Sequence, residues 1–233
     1  MNPATRSPIS AGKSAELVRR TIGMVLGVLF VGVGVGFYRM ALFGMDPFQT
    51  LMGGLDAIIP TVSFGMLWLA TLITMLIVPL VFKRSLIGPG TIINLLAVGY
   101  AIDVSHQFML TNLPNHNLGL RILWLIIGLI IIAMAMAFYF TANMGVSAYD
   151  AIALVIAERH PRIPFKYWRI ICDWTCLIVG VTLFLLAGNG ISELTALIGI
   201  GTIIAAFGMG PLITLFSEKV ARPILYGSGA SGI

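Results

Sequence analysis

Two short stretches carry residue types that could hold a charged solute. In the first, Asp46 precedes Pro47 and has Gln49 three positions on; in the second, Ser147 precedes Ala148 and has Asp150 three positions on. Asp or Ser followed by Pro and then by an acid or amide marks a helix N-terminus, and Ser147 with Asp150 has capping-box spacing. Free N–H groups and the positive dipole end at such a terminus favour an anion or carboxylate. The acidic cap and Asp150 argue against a purely anionic solute and suggest a zwitterion, a cation or proton coupling. The competing reading is plain capping of interfacial helices, since caps occur on most helices whatever their use.

Other polar groups fall inside or at the ends of apolar runs. Arg39 is a candidate for binding, or for snorkelling at the outer end of a span and pairing with Asp46 or Asp103. Asn94 and Asn143 suit hydrogen bonding to a solute or to a neighbouring helix. Asp103 and Asp173 are candidates for ion or proton coupling. Asp173 also lies four residues after Arg169, the spacing of an ion pair on one helix. Cys172, Asp173 and Cys176 lack a fourth ligand nearby, and the methionines form no clusters, so no metal and no cofactor are expected. His106, His116 and His160 sit in or near loops, with no nucleophile and base set beside them, which ranks an enzyme last.

The elements that position these residues are duplicated. Phe37, Gly44, Pro60 and Phe64 return as Phe138, Gly145, Pro161 and Phe165, always 101 positions later. A second echo matches Gly88-Pro89-Gly90-Thr91 with Gly199-Ile200-Gly201-Thr202 at an offset of 111, so the second half carries ten extra residues around Ala187 to Leu197. With 58% hydrophobic residues, 10% charged residues and a mean hydropathy of +1.00, most of the surface must face lipid. The net charge of +5 comes from clusters between apolar runs, a topology signal and not a nucleic-acid face.

Six spans are expected, at about Thr21 to Phe43, Val62 to Phe82, Leu86 to Val104, Ile122 to Asn143, Tyr167 to Leu186 and Leu194 to Leu215. The capped segments run for about 13 residues, roughly 20 Å and too short to cross, and read as re-entrant or interfacial half-helices. Residues 1–20 read as a flexible cytoplasmic tail, 21–110 and 120–219 as two transmembrane repeats, and 220–233 as a second cytoplasmic tail. With both termini inside, twelve Lys and Arg residues fall inside and only Arg39 and Arg121 outside, in line with the positive-inside rule. Three spans per half is an odd number, which requires the second repeat to be inverted relative to the first. The fold class is therefore an all-α polytopic membrane protein made of two inverted three-helix repeats, each with a short helix.

The paired G-x-G-T motifs, Gly99 to Asp103, the turn Gly44-Met45-Asp46-Pro47 and the chain length resemble the YczE/YyaS/YitT family of bacterial integral membrane proteins. The resemblance runs from about Arg20 to Lys219 and fits the shorter YczE type, without a soluble C-terminal domain. It implies a multi-pass protein of the bacterial inner (plasma) membrane and supplies no substrate. The leading expectation is a small secondary transporter or exporter of a small polar solute, its site made by the two short helices. The alternative is an accessory or scaffolding subunit. Beyond the lipid bilayer and an unidentified solute, glycine-rich faces in the first, third and sixth spans suit a homodimer.

Overall fold

The structure is a computed structural model describing residues 8–114, 117–163 and 165–226; among these no strand occurs. The helices are α1 (Pro8–Ala41), α2 (Pro47–Ile58), α3 (Phe64–Phe82), α4 (Pro89–Asn112), α5 (Leu118–Ala142), α6 (Ala148–Arg159), α7 (Phe165–Leu186), α8 (Ile200–Phe216) and α9 (Arg222–Tyr226). Five are long and apolar enough to cross a membrane. A sixth span results if the bent pair Ile191–Ala205 and Phe207–Tyr226, which meet at 51°, is taken as one. Such helices satisfy their own backbone groups, the condition for lying in lipid.

Several boundaries differ from the sequence reading: α4 runs on to Asn112, eight residues past the expected end at Val104 and with His106 inside it, and α8 starts at Ile200 instead of Leu194. The helix of the first span starts at Pro8, inside the stretch expected to be a flexible tail; residues 1–7 lie outside the described residues. Pro at a first helical position is already in helical φ, and Ala15, Glu16, Leu17, Arg19 and Arg20 are good helix formers despite their lack of an apolar face. The second tail is also structured at its start. Through the π-helical turn Ser217–Ala221, α9 returns to α1, burying Leu225, and the Tyr226 hydroxyl donates to the Thr141 carbonyl at 2.9 Å. Residues 227–233 lie outside the described residues.

At the centre α1 and α5 pack antiparallel, fastened alike at both ends. Arg20 donates to the carbonyls of Ala142 and Asn143 at 2.8 and 3.1 Å. Arg121 donates to those of Ala41 and Leu42 at 2.9 and 2.8 Å. Each guanidinium thus closes the end of the opposite helix, where carbonyls have no intrahelical partner.

The loops before the short helices make a second matched pair of contacts. The Met45 N–H donates to Leu197 O and the Gly201 N–H to Phe43 O, at 2.8 and 2.7 Å. Correspondingly, the Val146 N–H donates to Leu86 O and the Gly90 N–H to Met144 O, at 3.2 and 2.8 Å. Gly44 and Gly145 hold φ of +93° and +108° in these loops, and a Cβ on either would lie 2.2 Å from the Gly199 nitrogen or 2.6 Å from the Gly88 nitrogen. Backbone therefore meets backbone where α4 and α8 begin, which is what the G-x-G-T glycines permit.

The short helices cross between the halves: α2 packs on α7, and α6 on α3. Their C-terminal ends lie at opposite ends of α3. The Asp56 carboxylate on α2 is 3.9 Å from the Arg39 guanidinium, which sits over the ring of Phe64, the first residue of α3. Glu158 on α6 pairs with Lys83, just past the last residue of α3, and Arg159 lies over the Phe82 ring. The 19 residues of α3 span about 28 Å, the thickness of a hydrocarbon core.

Candidate functional site

The caps form as their sequences require. Asp46 Oδ1 accepts from the N–H groups of Phe48 and Gln49 at 3.0 and 3.1 Å. Ser147 Oγ accepts from the Asp150 N–H at 3.1 Å and donates to Asp150 Oδ2 at 2.7 Å. Each cap starts a helix of 12 residues. Both caps line one cavity of about 420 Å³, inside the usual range for small-molecule sites of roughly 300–1,000 Å³.

The cavity wall repeats itself. Twenty of its 24 lining residues form pairs at the repeat offsets. At 101 positions these are Val31 with Ile132, Val35 with Met136, Tyr38 with Tyr139, Asp46 with Ser147, Phe48 with Tyr149, Gln49 with Asp150, Trp68 with Arg169, and Leu72 with Asp173. At 111 positions they are Asn94 with Ala205 and Val98 with Met209. Val31 lies midway between Arg20 and Ala41, and Ile132 midway between Arg121 and Ala142, so the cavity sits at the middle of the α1 and α5 crossing.

Position is symmetric but chemistry is not. One wall is charged: Arg169 pairs with Asp150 and, at 3.2 Å, with Asp173, while the Tyr149 hydroxyl donates to Asp173. The Arg169 guanidinium also lies over the Tyr149 ring at 4.4 Å. The other wall is aromatic, with Phe48 stacked on Tyr149 at 4.9 Å and edge-on to Trp68 at 5.0 Å. Tyr38 is tied down by donating to the Gly201 carbonyl at 2.5 Å.

Of the residues singled out in the sequence, Asp46, Gln49, Asn94, Ser147, Asp150 and Asp173 line the cavity. Arg39, Asn143 and Asp103 do not. Arg39 takes Asp56 as partner in place of Asp46 or Asp103, because α2 runs back toward the end of α1. Asn143 caps α5 in a left-handed conformation, its carbonyl accepting from Arg20. Asp103 accepts from Gln107 one turn on, at 3.4 Å. Sequence reasoning missed the rings of Tyr38, Phe48, Trp68, Tyr139 and Tyr149, and the full reach of Arg169. The signal was available: extending the 101-residue register beyond the glycines and prolines aligns Tyr38 with Tyr139 and Trp68 with Arg169.

Long apolar helices around a largely apolar central cavity that carries a few charged and polar side chains, with two helix N-termini at its wall, define a polytopic helical membrane protein. The chain belongs to the family of unknown function DUF6198, which its residues 18–218 match. It is similar to an uncharacterized protein of Haemophilus influenzae, 24% identical over 206 residues, covering 87% of this chain and 86% of that one. No solved structure matches.

Proposed function

We propose that the protein is a small secondary transporter or exporter of a small polar solute, working by alternating access between two inverted halves around the central cavity. The observation that carries this reading is that Asp46 and Ser147 cap helices ending at opposite ends of α3 yet line one cavity. Paired half-helices with their N-termini at the middle of the bilayer are how transporters of inverted-repeat construction build a site. The reciprocal forks of Arg20 and Arg121, and the ten matched pairs in the cavity wall, support the inverted arrangement. In this reading both termini are cytoplasmic, the membrane is the bacterial plasma membrane, and the chain is of the short YczE type.

Reconstitution into liposomes under an imposed ion gradient tests it. Accumulation of a small polar solute is expected, reduced at least tenfold by Arg169→Gln, which removes the one cation that lines the cavity among the described residues. Failure of every solute charge class to move under either gradient polarity would overturn it. A chain that moves nothing but co-purifies with a defined membrane partner would fit the accessory reading.

A further inference from the structure

We propose that the cavity takes a small organic cation, an ammonium group on an apolar or aromatic body, seated at the Asp46 carboxylate beside the rings of Phe48 and Trp68. This deepens the transporter reading by naming its substrate class and rests on that reading for its physiological meaning. Charge comes first. Three carboxylates, Asp46, Asp150 and Asp173, line the cavity against one guanidinium, a formal excess of two negative charges when all are ionised. Arg169 is engaged by Asp150 and Asp173. Among the described residues no cation comes within ion-pair distance of Asp46, whose Oδ1 accepts two backbone N–H groups. Asp46 is half-buried at the cavity wall with no ion-pair partner there, and a bound cation would supply one.

Unpartnered atoms at the wall give the second, independent observation. Gln49 is 4% exposed, and its Oε1 has no donor. Among the described residues it is a buried acceptor on the cavity wall next to the acidic cap, as an N–H of an ammonium would require. Among the described residues Trp68 Nε1 and the Tyr139 hydroxyl, on residues 6% and 2% exposed, are unpartnered donors that belong to the lining of the same cavity. They suit a hydroxyl or carbonyl elsewhere on the ligand. Aromatic faces attract a desolvated cation further. An anion would meet the opposite balance at every one of these points except the two donors.

Binding to the purified full-length chain, followed by calorimetry in detergent, tests this with three probes of one shape: phenethylamine, 2-phenylethanol and 3-phenylpropionate. The amine is expected to bind about tenfold or more tightly than either of the others. Asp46→Asn keeps an oxygen for the Phe48 and Gln49 N–H groups, so the cap survives, and it should weaken amine binding by about tenfold or more. Gln49→Leu should weaken it about threefold or more, and serves as the test if Asp46→Asn fails to fold. The proposal is overturned if the acid or alcohol binds as tightly as the amine, if the amine does not bind by about 1 mM, or if the folded variants bind it unchanged. Amine binding with no solute of any charge class taken up by liposomes removes the transporter and leaves this site standing; uptake of an anionic or neutral solute by a chain that does not bind the amine does the reverse.

Discussion

Arg169 holds together more of the cavity than any other side chain, since Asp150 on α6, Asp173 one turn along α7 and the Tyr149 ring all meet its guanidinium. Arg169→Gln leaves three carboxylates facing one another and should cost about 1–3 kcal/mol of stability. Adding Asp173→Asn to that variant should restore part of the loss, which a double-mutant cycle on thermal midpoints in detergent would show. A simple sum of the two single effects would mean that the groups do not interact. Backbone strain gives a second residue-level expectation. Gly44→Ala forces a Cβ against the Gly199 backbone at a left-handed φ, and should cost about 2–4 kcal/mol. Gly188→Ala has a similar φ of +89° with nothing within 4 Å, and should cost about 1 kcal/mol. Equal shifts in Tm would contradict the close loop contact. At this scale the sequence showed the caps, because a cap is local chemistry. It showed only half of Arg169, because Asp150 lies 19 positions away on another helix.

Helix pairs come next, and the fastening of α1 to α5 by two guanidinium forks is specific to arginine. A lysine cannot reach two successive carbonyls with the same planar geometry. Arg20→Lys and Arg121→Lys should each lower stability, by about 1–3 kcal/mol and by similar amounts. A large loss for one and none for the other would contradict the equivalence of the two ends. Five of the six spans and both short helices were legible from apolar run length and from Asp46-Pro47 and Ser147, and α2 and α6 each end two residues before the expected proline. The early start of α1 and the return of α9 were not. Neither segment has an apolar run, and α9 is held by a contact far along the chain, Tyr226 with Thr141.

For the whole molecule, the duplication was readable as two constant offsets, but the surfaces it brings together were not. The loop at Gly44 meets Gly199 of the other half, and Gly145 meets Gly88, so the matched motifs contact each other's partners and not their own. An alignment of one half with the other has no term for contacts between halves, so the central cavity follows only once the chain is folded. Its functional meaning depends on α2 and α6 entering the bilayer from opposite faces. Thr61 and Arg162, exposed turn residues just past the two short helices, are equivalent at the 101 offset and report on this directly. Single cysteines at these sites, in a chain carrying Cys172→Ala and Cys176→Ala, would be labelled with an impermeant maleimide from each side of the membrane. Reaction of Thr61→Cys from outside only and of Arg162→Cys from inside only is expected. Reaction of both from the same side would contradict the inverted arrangement and, with it, the transporter.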